Sequence, residues 1–167
     1  PMLGPYGGFR CVSELIADAS KTSTQKIEIN LFQEEIPASP NSKTELIIFL
    51  KNTDGSMITG ETVNLSVDKG SIQSPAKDNG NGTYTSIYTA DNVSGEAKIT
   101  AISSNGKFAF ATIILLDIQV KILAEQTELP ASSSSSTNIR ISIKDSKEKY
   151  VEGEVITLKA SKGTVKN

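Results

Sequence analysis

The chain has 167 residues, with 17 lysines and arginines against 19 aspartates and glutamates, no histidine and a single cysteine, Cys11. This near-neutral balance contains no long block of one charge, so nucleic acid and charged membrane surfaces are not expected partners. The lack of histidine and of a second cysteine removes the commonest general base, the commonest metal ligand and any internal disulfide.

Residues 1–24 open the chain with several glycines and a proline, which favour turns, and we expect a linker or the tail of an upstream domain there. The longest apolar run, residues 108–116, is much shorter than the roughly 20 residues that a membrane-spanning helix needs. It is a strand candidate, and we expect no membrane insertion in this fragment.

The next part of the chain alternates apolar and polar residues, which is the period of half-buried β-strands. Residues 26–32, 44–51 and 61–68 have this pattern, and nine side chains are expected to face the core: Ile27, Ile29, Leu31, Leu46, Ile48, Leu50, Val63, Leu65 and Val67. Between the first two strands, Pro37 and Pro40 are expected to break pairing because proline donates no hydrogen bond to a β-ladder.

Three more strands follow a dense turn signal at residues 78–82, where glycine and asparagine tolerate positive φ. They are residues 83–89, residues 96–102, with Ala97, Ile99 and Ala101 on one face, and residues 107–116. No convincing helix is present. Short strands that follow one another within about 90 residues, separated by frequent turns, predict an all-β, immunoglobulin-like β-sandwich.

The sequence also contains an internal repeat, with an offset of 93 positions that places Pro37 on Pro130. Ile-Pro-Ala-Ser at residues 36–39 aligns with Leu-Pro-Ala-Ser at residues 129–132, and residues 60–73 align without a gap on residues 153–166. A repeat of this length indicates one folding unit used more than once. We therefore expect a complete module at residues 25–116 and the N-terminal half of a second module at residues 117–167, a tandem repeat with a truncated second copy.

Only Asp117 interrupts the apolar character at the join between these units, without a flexible linker. The last strand of the first module is expected to run almost directly into the first strand of the second, which predicts a stiff rod. The serine run at residues 132–136 has the composition of a linker, but the repeat aligns it with a loop at residues 39–43 inside the first module.

These segments resemble bacterial immunoglobulin-like (Big_1-like) repeats of the invasin and intimin type. The resemblance covers the first module and the matching part of the second, through residues 36–39, 60–72, 82–85 and 95–101. Residues 81–88 are also similar to filamin-type immunoglobulin-like repeats. The invasin and intimin resemblance implies an extracellular or cell-surface spacer, non-catalytic and without cofactors, with neighbouring immunoglobulin-like modules as partners and adhesion usually located in a terminal domain.

Two other functions remain open. The module itself would recognise a host or cell-surface protein or glycan through a strand edge or its loops. Alternatively, Gly-Phe-Arg-Cys-Val at residues 8–12 resembles the end of a domain of the formylglycine-generating enzyme (sulfatase-modifying factor) type. That resemblance implies that the modules are an appendage to an upstream catalytic domain. Packing of Phe9 and Val12 against the first module explains the same residues.

Several local patterns have both a functional and a structural interpretation. Residues 78–82 contain oxygen ligands suited to calcium, but with one carboxylate a hairpin turn is favoured. Tyr84 and Tyr88 have the spacing of core packing rather than ligand stacking. The carboxylate pairs Glu34 with Glu35 and Asp145 with Glu148 lack a predicted cleft, and Asn64, Asn81 and Asn92 match the short glycosylation pattern without further support. We predict no catalytic, cofactor-binding or metal residue.

Overall fold

The computed structural model describes residues 25–166. Eleven strands lie in this part of the chain: β1 Lys26–Leu31, β2 Glu35–Pro37, β3 Lys43–Lys51, β4 Val63–Val67, β5 Ser71–Ile72, β6 Lys77–Asp78, β7 Thr83–Thr89, β8 Gly95–Ser103, β9 Phe108–Leu116, β10 Ile118–Ala124 and β11 Ile139–Asp145. Within these residues no helix is long and apolar enough to cross a membrane.

Strands β1 to β9 form two sheets of a sandwich. One sheet has the order β1-β3-β7-β5, with β6 also paired to β7, and the other has the order β2-β9-β8-β4. Pairing is antiparallel except between β2 and β9, which are parallel. The consecutive strands β1 and β2 therefore lie in different sheets, so the start of the module contributes an edge strand to each.

The core lies between the two sheets and is formed by alternate residues of each strand, as the sequence predicts. Leu46, Ile48 and Leu50 of β3 are fully buried, and their intervening neighbours are more exposed. The opposite sheet contributes Val63, Leu65, Ala97, Ile99, Ala101, Ile113 and Leu115. Ile29, Leu31 and Val67 are only partly buried and pack at the periphery of this cluster.

The prediction that prolines break pairing after β1 was wrong for Pro37. Glu35–Pro37 pairs with the end of β9, where the Ile114 N–H donates to the carbonyl oxygen of Glu34 at 2.8 Å. The Ala38 N–H continues the pairing to the carbonyl oxygen of Leu116 at 2.8 Å. Pro37 is tolerated because it ends a short edge strand, where a missing donor leaves no ladder bond unmade.

Strands β10 and β11 repeat the pairing of β1 and β3 at the offset of the sequence repeat. Ile27 pairs with Leu50 in the first hairpin, and the equivalent residues Val120 and Ile143 pair in the second. The isolated bridge between Lys51 and Met57 also recurs between Lys144 and Tyr150. We name residues 118–166 the second segment.

The structural equivalence ends after residue 151. The repeat aligns residues 156–160 with β4, yet residues 151–166 contain no strand. In the first module β4 is paired only with β8, and no strand equivalent to β8 exists among residues 118–166. Ile156 is consequently 41% exposed, whereas its equivalent Val63 is fully buried. The sequence pattern of a strand is present, but its pairing partner is not.

Candidate functional site

The turn at residues 78–82 is a hairpin that joins β6 and β7. The two carboxylate oxygens of Asp78 accept hydrogen bonds from the N–H groups of Gly80 at 2.8 Å and Gly60 at 3.0 Å. The side-chain oxygen of Asn81 accepts from the N–H of Thr83 at 3.1 Å. These oxygens therefore stabilise the turn, and residues 25–166 contain no group of three or more side chains suited to hold a metal ion.

Tyr84 and Tyr88 are core residues, as their spacing predicts, since both are fully buried. The Tyr84 hydroxyl accepts from the N–H of Glu61 at 3.2 Å and donates to the carbonyl oxygen of Ile58 at 3.3 Å. The Tyr88 hydroxyl donates to the carbonyl oxygen of Lys69 at 3.0 Å. Burial raises the pKa of both phenols, that of Tyr88 to about 12. Both rings anchor loops and present no face to a ligand.

Asp145 and Glu148, one of the two carboxylate pairs of the sequence, are engaged in the turn after β11. Asp145 is buried, and its carboxylate accepts from the N–H groups of Lys147 at 2.9 Å and Lys149 at 3.0 Å, which closes the turn after β11. Glu148 forms an ion pair with Lys144 at 2.8 Å, which lowers the pKa of Glu148. The carboxylates of Asp145 and Glu148 therefore both stabilise the turn after β11.

Two large apolar side chains are exposed on the outer face of β9. The rings of Phe108 and Phe110 are 65% and 60% exposed, and their centroids lie 5.4 Å apart. An open groove of about 400 Å³ lies between β1 and β9, and its lining mixes apolar and polar side chains: Ile29, Asn30, Leu31, Glu34, Phe110, Ala111 and Thr112. The groove is open to solvent, unlike the enclosed pockets that usually bind small substrates.

The first module and the second segment are joined covalently through Asp117 alone, between the last residue of β9 and the first of β10. They also make side-chain contacts. The ammonium group of Lys147, in the turn after β11, forms an ion pair with the carboxylate of Glu35 in β2. A loop of the second segment therefore folds back onto the edge strand of the first module.

Two further hydrogen bonds complete this contact, at the loop that follows β2. The Ser39 hydroxyl donates to the carboxylate of Glu154, and the side-chain amide of Asn41 donates to the carbonyl oxygen of Gly153 at 3.2 Å. Ser39 is only 1% exposed. We name Glu35, Ser39 and Asn41 the tail surface, and Lys147, Gly153 and Glu154 the head surface that contacts it.

The sequence predicted the direct join but not the side-chain contact, because Ser39 lies in a polar loop without a chemical motif. The available signal was that Pro-Ala-Ser recurs unchanged in both copies, although loop residues are usually more variable than strands. The stretch at residues 8–12 lies outside the described residues, and its assignment stays a prediction.

A two-sheet sandwich whose first two strands lie in different sheets defines an immunoglobulin-like module. The model of the family described as invasin, domain 3, matches residues 15–113, more than half of the chain. The chain belongs to this family.

Similar solved structures support the same fold. They include the adhesin InvE of Yersinia pseudotuberculosis, at 16% identity and a TM-score of 0.54 over 78% of this chain and 36% of that one. Invasin, described as a bacterial integrin-binding protein, has 17% identity and a TM-score of 0.51 over 76% and 28%.

A C-terminal fragment of intimin, in complex with the intimin-binding domain of the translocated intimin receptor, has 16% identity and a TM-score of 0.52 over 71% and 46%. The chain thus spans less than half the length of each of these structures. The comparison with curated proteins found no match.

Proposed function

We propose that the chain is a non-catalytic spacer of a bacterial cell-surface adhesin. In this proposal residues 25–116 form one immunoglobulin-like module and residues 117–167 the opening half of the next. Membership of the invasin domain 3 family and the adhesins among the similar structures support the surface location. The contact between the head and tail surfaces carries the spacer role, because it restrains rotation about the single residue that joins the modules.

A rigid spacer needs a fixed angle between consecutive modules. Residue 117 supplies only two backbone torsions, and the strands on either side of it are each restrained by their own sheet. The ion pair of Lys147 with Glu35 and the bonds at Ser39 and Asn41 then fix the remaining rotation. Each contact is weak alone, but all three must break together for the second segment to swing.

Residual dipolar couplings of the full chain test this proposal. If the segments form one rigid body, couplings from β1 to β9 and from β10 and β11 fit a single alignment tensor. A matched variant with four glycine and serine residues inserted after Asp117 is expected to need two tensors. Independent tensors for the unmodified chain would contradict the spacer role.

The second candidate is a binding module for a host or cell-surface protein or glycan, favoured by the exposed Phe108 and Phe110 pair. Invasin and intimin, to which the fold is similar, bind integrin and the translocated intimin receptor respectively. If this candidate holds, F108A and F110A abolish binding to cultured host cells without changing the melting temperature. I87A, at a side chain that is 41% exposed on β7 of the other sheet, is the matched control.

A further inference from the structure

The tail surface of the first module has a counterpart in the second segment, with the same backbone conformation. The N–H of Ser39 donates to Pro37 at 2.9 Å, and that of Ser132 donates to Pro130 at 2.8 Å. The Ser39 hydroxyl accepts from the N–H of Asn41 at 3.1 Å, and the Ser132 hydroxyl accepts from that of Ser134 at 3.3 Å. The second segment thus presents the same serine in the same loop, but there Ser132 is exposed.

The head surface also has a counterpart in the first module, in the loop that follows β3. The turn that carries Lys147 is closed by a hydrogen bond of 2.8 Å from the Asp145 N–H to Lys149, and the turn that carries Asp54 by one of 2.8 Å from Asn52 to Ser56. The glycine and glutamate that contact the tail surface recur as Gly60 and Glu61, and both glycines have positive φ, 81° and 76°.

Two positions differ between the copies. Asn41 in the first tail is replaced by Ser134 in the second, and the charge at the head turn is reversed. Both tails have a glutamate, Glu35 and Glu128, but the heads differ, with Lys147 in the second segment and Asp54 in the first module. The observed contact pairs a tail glutamate with a head lysine. The tail of the second segment placed on the head of the first module would instead bring Glu128 beside Asp54, which is a like-charge contact.

We propose that Glu128, Ser132 and Ser134 form a docking surface for another copy of the repeat, one with a basic residue at the position of Lys147. This inference deepens the proposed spacer function and rests on it. The serine and the glutamate of the contact recur in both copies, although the Glu61 carboxylate also accepts from the Ser104 hydroxyl within the first module. The charge at the turn position then decides which copies join.

The charge at the turn position of the head surface mainly determines which copies of the repeat associate. An exposed ion pair changes an equilibrium constant by at most roughly fivefold, so it adds little to the strength of a contact that the covalent join already favours. A like-charge contact disfavours the wrong neighbour by a comparable amount. Asp54 in the head of the first module thus repels Glu128 in the tail of a separate copy of the chain and limits their association. The same Glu128 attracts a head that carries a basic residue.

Thiol cross-linking between two full-length variants tests the docking rule. Both carry C11S, which removes the single cysteine. One has T59C beside the head of the first module, and the other has S133C beside the tail of the second segment. A short bismaleimide traps even a weak complex. With the natural charges, the yield of mixed dimer is expected to equal that of the control, in which S161C replaces S133C.

Charge reversal is then applied to each side of the contact. D54K in the T59C chain is expected to raise the yield of mixed dimer roughly two- to fivefold, the range that an exposed pair supports. E128K in the S133C chain is expected to raise it similarly. The two reversals together restore a like-charge contact and return the yield to the control level.

Equal yields from all four charge combinations would overturn the proposal, as would a double reversal that gives as much mixed dimer as either single reversal. Cross-linking between two S133C chains in preference to the mixed dimer would also overturn it, because it would indicate a symmetric contact. The residual dipolar couplings distinguish failure of the docking rule from failure of the proposed spacer function. A single alignment tensor together with equal yields rejects only the docking rule, whereas two tensors reject the spacer function itself.

Discussion

The hydroxyl group of Tyr88 donates a hydrogen bond of 3.0 Å to the carbonyl oxygen of Lys69, across the gap between β7 and the turn after β4. The ring is fully buried, and burial is the main reason that the pKa of Tyr88 rises from 10.0 to about 12, with the charges of Asp91 and Asp68 adding to the effect. The phenol must therefore stay protonated in the folded chain.

This shift predicts a loss of stability at alkaline pH. A raised folded-state pKa stabilises the fold fully below the unfolded value of 10.0, and the stabilisation is lost as pH rises toward about 12. Y88F removes this part of the pH dependence, and it costs about 1 kcal/mol at neutral pH through the lost hydrogen bond. Urea unfolding at about pH 9 and about pH 11 measures both effects. An unchanged pH slope in Y88F would contradict the assignment.

Alanine is expected to destabilise the fold more at Gly82 than at Gly80. Both have positive φ, 80° and 76°, so alanine at either position is strained by about 1 kcal/mol. At Gly82 a Cβ atom would also lie 2.5 Å from the Cβ of Met57 and 3.1 Å from the backbone nitrogen of Ile58, whereas at Gly80 nothing lies within 4 Å. We expect G82A to destabilise the chain by at least about 2 kcal/mol more than G80A, measured by urea unfolding. Equal costs would show that the clash is relieved.

Glu28 on β1 has an unusually acidic carboxyl group. Its carboxylate contacts the ammonium group of Lys26 at 2.6 Å and that of Lys51 at 2.8 Å, and these hydrogen bonds and charges lower its pKa from 4.5 to about 2. A carboxyl titration followed by NMR is expected to give this midpoint. K26M and K51M should each raise it, K26M by more. Because the pKa is lowered, the pairs stabilise the fold above about pH 4.5, and this is lost as pH falls toward about 2.

The second segment is expected to exchange its amide hydrogens faster than the first module. The side chains of β10 are mostly exposed, and residues 152–166 contain no ladder hydrogen bonds to protect them. Protection is expected to be high in β3, β7 and β8, intermediate in β10 and β11, and low after residue 151. Equal protection of both parts in a dilute monomer would contradict this prediction.

The sandwich was predictable from sequence because its core residues alternate with the period of a strand. In β3, Leu46, Ile48 and Leu50 alternate with less buried residues, so periodicity alone predicts the buried face. Short strands carry too few residues for such a pattern. Ser71–Ile72 and Lys77–Asp78 pair with β7 through two residues each, and only the tertiary arrangement brings them to that edge.

The contact between segments was less predictable, for a different reason. The Ser39 contact with Glu154 joins residues 115 positions apart, and neither belongs to a motif with known chemistry. The repeat predicted which segments are equivalent, but not how one copy rests on the next. The sequence repeat continues through residues 156–160, where the strand pattern is present and the pairing strand is not.

The distance distribution between spin labels on the two segments tests the central claim, that the second segment is held at a fixed angle to the first module. Labels at N105C in the turn before β9 and R140C in β11, with C11S, lie at exposed positions away from the contact. A fixed angle predicts one narrow distance, which broadens when K147E or an insertion after Asp117 weakens the contact. A distribution as broad in the unmodified chain as in the insertion variant would contradict it.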